Sequence, residues 1–357
     1  MSVGAVALLL LSFFLAPRRA HGYWIAGAPM AAPGSGQVAV QLGDGRILAV
    51  GGEAITDGFP VPTAQIYSPV TQTWSYTAGM QVARIGQTAT VLRDGRVLVV
   101  GGLGSKLEGL SSAEIFDPVS QAWQLVAPLP QTRFAQSATL LPDGRVLVVG
   151  GIVDGRISTS ALFFQPAVNQ WMPAPPTIYL HAQQSGVVVA SGHILIAGGY
   201  GRPEMYLPGR GGGSGVWRPV LDTAFRSHPV VVKLHDDSVL LASGLGVHDH
   251  DLRSTRVYSS ATGTWAIAGS LHSARSQAVG ALLPSGDVLV TGGEQVSVRV
   301  LRSAEIFNPA SRTWTETAPM RTARDAAIAS VLSDGTVLVC GGMNLSGVLD
   351  SCEIYHP

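Results

Sequence analysis

From residue 23 onward the chain alternates short apolar runs with polar, glycine-rich turns, and no ten-residue stretch has helical periodicity. One apolar run keeps returning. Leu48-Ala49-Val50-Gly51-Gly52 recurs as LVVGG ending at Gly102 and Gly151, as LIAGG at Gly199, LVTGG at Gly293 and LVCGG at Gly342. A degenerate copy, LLASG, ends at Gly244. The seven tryptophans, Trp24, Trp74, Trp123, Trp171, Trp217, Trp265 and Trp314, follow at intervals of 46 to 50 residues, so each is a structural repeat residue. Repetition at this period predicts an array of like units rather than unrelated domains.

Each unit predicts four short strands. In the second, Gln87–Leu92 reads as strand a and Val97–Val100 as strand b. Asp94-Gly95 between them is a tight hairpin turn, because Asp-Gly tolerates positive φ. The turn recurs at Asp44-Gly45, Asp143-Gly144 and Asp334-Gly335, with Ser191-Gly192 and Ser285-Gly286 as variants. Strand b is apolar on both faces and must lie between two layers. Gly101-Gly102 permits close backbone approach. Ala113–Phe116 is strand c, stopped by Asp117-Pro118, and Trp123 opens strand d.

Sheets with two apolar faces must cover one another, and strand twist curves such a stack into a ring. Residues 23–357 therefore predict one all-β, seven-bladed β-propeller. The last unit ends at Glu353-Ile354-Tyr355-His356-Pro357 without its Trp. Trp24 and Ala28-Pro29-Met30 keep the spacing of Trp314 and Ala318-Pro319-Met320, so the last blade is expected to be closed by the N-terminal strand.

Composition adds exclusions. Lys+Arg and Asp+Glu both number 23, which argues against nucleic acid or an anionic membrane held by bulk charge. Two cysteines are too few for a disulfide scaffold or a Cys-based zinc cluster. Val3–Ala16 is apolar apart from Gly4 and Ser12, too short to span a bilayer, and Ala20-His21-Gly22 fits a cleavage site. Residues 1–22 thus read as a signal peptide, with an N-terminal hydrophobic anchor as the other reading. The mature chain is expected to be exported, monomeric and without a membrane span.

The glycine doublets, the spaced Trp residues and the strand Ala113-Glu114-Ile115-Phe116, repeated as Ala304–Phe307 and Cys352–Tyr355, resemble kelch-repeat β-propellers. An Arg begins most strand a segments, as the kelch pattern has it. The resemblance spans residues 22–357 and implies fold without naming an activity, since kelch propellers include oxidases, epimerases and plain binding modules.

Counting ten residues back from each hairpin turn gives Gly34, Arg84, Arg133, His181, Arg226, Arg275 and Arg324. These are expected near the channel mouth, on the face of the d–a and b–c loops. Two roles are open: a ring of donors for a carboxylate or phosphate, or pairing with acids such as Glu53 and Glu294. His228, His248 and His250 are the candidate metal ligands, His248 and His250 forming a His-x-His in a loop with flanking Asp residues. His272, Tyr179 and Tyr200 map to the same sector. No cofactor is otherwise expected.

Galactose-oxidase-like copper enzymes use two Tyr, two His and a Cys crosslinked to one Tyr. Here Cys340 and Cys352 lie about three blades from Tyr179 and Tyr200, at core positions, so that pattern is not met. On adjacent strands b and c, the two cysteines either bridge or stay reduced. The expected function is a non-catalytic module binding a protein or a glycan through the face of the d–a and b–c loops, Glu53–Thr63 and Leu245–Arg256 among them. The alternative is a propeller enzyme with Arg and His residues of repeats 4 to 6 at the mouth.

Overall fold

The computed structural model describes residues 22–53, 58–189, 192–221, 225–248, 250–296 and 299–357. The expected leader lies outside these residues, Gly22 excepted.

Seven four-stranded antiparallel sheets form the blades, strands a to d running outward. Blade 1 is Val38–Gln41, Ile47–Val50, Ala64–Ser68 and Thr73–Tyr76. Blade 2 is Thr88–Val91, Val97–Val100, Ala113–Asp117 and Ala122–Leu125. Blade 3 is Ser137–Leu140, Val146–Val149, Ala161–Gln165 and Gln170–Ala174, and blade 4 is Ser185–Val188, Ile194–Ala197, Glu204–Leu207 and Val216–Pro219. Blade 5 is Val230–Lys233, Val239–Ala242, Thr255–Ser259 and Thr264–Ala268; blade 6 is Val279–Leu282, Val288–Thr291, Ala304–Asn308 and Thr313–Thr317. Blade 7 takes strands a to c from Ile328–Val331, Val337–Cys340 and Cys352–His356, and strand d from Tyr23–Gly27.

All four residues of every strand b are buried. At roughly 1.5–3 kcal/mol per large apolar side chain, these strands are the main source of cohesion. The core is seven clusters, each shared by two neighbouring blades. One joins Leu48 and Val50 to Val97, Val99 and Phe116 across blades 1 and 2. Another joins Leu338, Cys340 and Ile354 of blade 7 to Ile47, Ala49 and Tyr67 of blade 1, so the ring is closed by packing as well as by pairing.

The seam is as the repeat frame predicts. Tyr23–Gly27 pairs antiparallel with Cys352–His356, Trp24 opposite Tyr355. Trp24 is buried, and its indole N–H donates to the Ala318 carbonyl at 2.7 Å. In every blade the strand d Trp tilts against an aromatic ring of strand c, with centroids 4.8–5.4 Å apart. Such pairs contribute about 0.5–1.5 kcal/mol each beyond their area.

The a–b turn is one residue longer than a two-residue Asp-Gly turn. The Leu42 N–H bonds Arg46 O, the Gly45 N–H bonds Leu42 O, and Gly45 alone takes positive φ, at 85°. Asp44 uses its carboxylate to accept the Arg46 N–H, so it fastens the turn and does not supply the left-handed residue. The Gly-rich insertion of blade 4 carries a 3-10 turn, Arg210–Gly212, and the Tyr206 hydroxyl bonds the Ser214 carbonyl beside it.

Candidate functional site

The position ten residues before each turn does not form a ring at the mouth. Arg84, Arg133, Arg226, Arg275 and Arg324 are among the largest fully buried side chains, and His181 is equally enclosed. Each guanidinium lies within its own blade. Nη1 donates to the carbonyl that closes strand b, from Gly101, Gly150, Ser243, Gly292 or Gly341. Nη2 donates to a hydroxyl ahead of strand c, from Ser112, Ser160, Ser254, Ser303 or Ser351.

The acid partner is the second residue of strand c. Glu114, Glu305 and Glu353 accept from Nη2 of Arg84, Arg275 and Arg324 at 2.8, 2.9 and 3.3 Å. Each also accepts two backbone N–H groups of the d–a loop: Gln81 and Val82, His272 and Ser273, Arg321 and Thr322. In blade 4 the same carboxylate, Glu204, bonds His181 Nε2 at 3.0 Å and the N–H groups of Ile178 and Tyr179. Burial pushes the Glu305 carboxyl up, but the N–H groups of His272 and Ser273, the His272 ring and the Arg275 charge outweigh it and leave the group below the usual range.

This corrects two expectations. The acids paired with the arginines are not Glu53 and Glu294. The Nη donors of Arg84, Arg133, Arg226, Arg275 and Arg324 and Nε2 of His181 bind the fold from buried positions, whereas an anion site needs them presented to solvent. The fastener varies around the ring. Leu162 replaces the acid in blade 3, Arg256 in blade 5, and blade 1 has Gly34 with Gln65, whose amide bonds Ala32 through both its oxygen and its nitrogen. Burial draws the Arg133 guanidinium down to about 10, the Asp154 charge opposing it.

The inner rim is built from the two following residues. Ser35, Ile85, Phe134, Ala182, Ser227, Ser276 and Asp325 each bridge to the residue after their blade's glycine pair, or after Ser243-Gly244 in blade 5: Glu53, Leu103, Ile152, Tyr200, Leu245, Glu294 and Met343. The next residue has positive φ, between 46° and 68°, in every blade: Gly36, Gly86, Ala135, Gln183, His228, Gln277 and Ala326. A non-glycine residue there costs on the order of 1 kcal/mol. In return the backbone stitches blade to blade: the Ala135 N–H donates to Gly86 O, Gln183 to Ala135 O, Ala326 to Gln277 O and Gly36 to Ala326 O.

The rim therefore has two halves. Ile85, Leu103, Phe134 and Ile152 make blades 2 and 3 apolar. Glu294, Asp325 and Glu53 make blades 6, 7 and 1 acidic. Gln277 Nε2 donates to Glu294 Oε1 at 2.7 Å. Asp325 is 6% exposed, and its buried Oδ1 has no hydrogen-bond partner. Burial, then the charges of Glu294 and Glu53, push its carboxyl up to about 6. His228 stands next in the ring, exposed at one edge; partial loss of hydration lowers its pKa, with the Glu294 charge opposing. Asp325 is the residue the sequence reading missed. Its signal is position: it lies beside the repeated Arg, at a place whose residue differs from blade to blade.

The histidines are not gathered. His248 and His250 are exposed in the b–c loop of blade 5, His228 lies on the inner rim, and Asp249 falls outside the described residues. Among the described residues no group of three His, Cys, Asp or Glu side chains is arranged to hold a metal ion, so the three-histidine site is not formed. His272 pairs with Glu305 at 3.0 Å at the blade edge. Tyr179 and Tyr200 also separate: Tyr179 faces the Arg202 guanidinium and Tyr200 packs edge-on to Phe225. Cys340 and Cys352 form a disulfide, which closes the question of their state and ties strand b to strand c in blade 7.

Seven four-stranded blades, their paired glycines and their buried Arg–Glu fasteners define a kelch-type β-propeller. Residues 86–130, one repeat, match the Kelch motif family. The chain is similar in structure to a fungal alcohol oxidase of the AA5 family determined in complex with copper, at TM-score 0.75 and 19% identity, covering 95% of this chain and 77% of that one. It is also similar to YjhT, at TM-score 0.62 and 14% identity, covering 82% of this chain and 99% of that one. No curated protein matches it in sequence.

Proposed function

We propose that the chain is an exported, non-catalytic binding module that engages a protein, or secondarily a glycan, through the face of the d–a and b–c loops. The supporting observation is what that face leaves in solvent. Leu180, Leu221, Leu107, Val247, Leu345 and Tyr200 are exposed, and all six belong to those two classes of loop. The c–d loops expose Val70, Val119 and Val168 and the outer strands a few more, but this face carries the largest share, and exposed apolar side chains on loops suit an interaction surface. Export is supported by the apolar run Val3–Ala16 and by the Cys340–Cys352 bridge, a bond that persists in oxidising compartments.

The test is affinity capture and glycan-array binding with the wild type beside a Leu107→Ser/Val247→Ser/Leu345→Ser variant. A partner lost by the variant, with its melting curve unchanged, supports the reading. A partner bound equally by both would count against this face.

The second reading, a propeller enzyme, is favoured by Asp325: a buried carboxyl that titrates near neutral pH is suited to proton transfer. It requires turnover of some substrate that Asp325→Asn abolishes.

A further inference from the structure

We propose that the acidic half of the channel mouth is a binding site for an organic cation, an ammonium or guanidinium group held by Asp325, Glu294 and Glu53. The proposal deepens the binding-module reading by giving the chemistry of what enters the mouth, and it rests on that reading only where the cation is a side chain of a docked protein.

Three successive blades, 6, 7 and 1, each set one carboxylate on the rim beside inner turns that bond to one another, Ala326 N–H to Gln277 O and Gly36 N–H to Ala326 O, and both Glu294 and Glu53 act on Asp325. Like charges so placed repel, and the arrangement is costly unless a cation joins them. Among the described residues no Lys or Arg charge acts on Asp325. The guanidinium of Arg324, next in sequence to Asp325, is turned into blade 7, where it bonds Gly341 O, Ser351 and Glu353. Arg275 is likewise committed to Glu305 in blade 6. Blade 1, which carries Glu53, has Gly34 where the others have Arg or His.

A second observation points to a ligand. Asp325 is buried and its Oδ1 lacks any donor. An unsatisfied buried carboxylate oxygen is destabilising, and a donated N–H group removes that deficit. On the same inner turn in blade 4, Gln183 Oε1 is a second buried acceptor without a partner.

The donor set selects the class of cation. A divalent metal needs its oxygen ligands converging at about 2.0–2.6 Å on one point. The described residues contain no such group. Carboxylates spread over blades 6, 7 and 1 suit a ligand whose N–H groups point in several directions, as an ammonium or guanidinium does. The apolar half of the rim, Ile85, Leu103, Phe134 and Ile152, lies across the ring in blades 2 and 3, where the alkyl stem of an amine or a basic side chain finds contact.

The experiment is calorimetric titration of the whole protein at low salt with three probes: agmatine, an arginine-containing peptide and the same peptide with citrulline. Agmatine and the arginine peptide are expected to bind and the citrulline peptide at least tenfold more weakly. Glu294→Gln and Asp325→Asn are each expected to weaken agmatine at least tenfold, with Glu53→Gln as a third variant should either fail to fold. Equal affinity of agmatine and the arginine peptide assigns the cation to a free amine; a much tighter peptide assigns it to a protein side chain. Both sustain the site. Binding that the carboxylate variants leave unchanged, no binding of either cation, or binding of calcium or magnesium in place of agmatine would overturn it. The Leu107/Val247/Leu345 variant keeps the mouth intact, so failure of the cation site and failure of the face are separately visible.

Discussion

At the scale of single residues, the decisive feature is that one repeated Arg has different company in different blades. Arg84 faces Glu114 with both side chains wholly buried, whereas Arg133 faces Leu162. Removing one partner of a buried ion pair strands the other charge, at about 3–5 kcal/mol; where no acid is bonded to the guanidinium, as for Arg133, which only feels Asp154 at a distance, the loss is mainly of carbonyl and hydroxyl partners, about 1–3 kcal/mol. Arg84→Met is therefore expected to destabilise more than Arg133→Met in denaturant melts, and equal losses would refute the fastener account. Asp325 makes the opposite prediction. Its pKa of about 6 in the fold exceeds the ordinary 3.8, so the folded state holds the proton more tightly. Wild-type stability then falls as pH rises between those values, by up to about 3 kcal/mol, and stays lower above. The groups acting on it are Glu294 and Glu53, with His228 beside Glu294. Asp325→Asn avoids the loss. It should melt higher than wild type at pH 8 and together with it at pH 4; a variant less stable at pH 8 would show that the carboxylate is not strained.

At the scale of elements, strand b and the seam were legible because they depend on pattern. A strand apolar on both faces has one place to go, between two layers, and every strand b went there. The Trp residues were legible by spacing, since each must meet the aromatic of strand c across a hairpin. What the pattern did not reveal is direction. Apolar alternation gives the two faces of a strand, but whether the residue ahead of strand a points down the channel or back into its blade is set by the left-handed turn that follows it, at Gly36, Gly86, Ala135, Gln183, His228, Gln277 and Ala326. Four of these, Ala135, Gln183, Gln277 and Ala326, are residues whose own preferences do not announce positive φ. Arg84 and its counterparts were accordingly expected at the mouth and turned up inside. The same turn brings forward the neighbours Asp325 and Ser276, whose differences from blade to blade are the information a binding site needs. The histidine loop failed for a related reason: the nearness of His248 and His250 in sequence says nothing of where His228 lies, which is on the inner turn of the blade.

At the scale of the whole molecule, the ring has no intrinsic beginning. Each blade is held by the cluster it shares with the next, and blade 7 meets blade 1 as blade 1 meets blade 2. Stability is thus close to a sum over seven like interfaces, with closure as the condition that no apolar face is left bare. Where the chain is cut should matter little so long as every blade keeps four strands. Tyr23 pairs with His356, their rings stacked at 4.7 Å, so the first and last strands lie side by side and a short linker can join them. A circular permutant that joins these strands and opens at Gly209–Gly215, in the c–d loop of blade 4, should fold with one cooperative transition close to that of the parent. Deleting residues 22–30 instead removes strand d of blade 7 with Trp24 and its bond to Ala318, and exposes the edge of Cys352–His356. That chain should lose the cooperative melt. The pair separates two accounts of the seam. If connectivity sustained the ring, both changes would harm it; if pairing and packing do, the permutant survives and the deletion does not. A deletion that melts like the parent would mean that the ring holds with blade 7 one strand short.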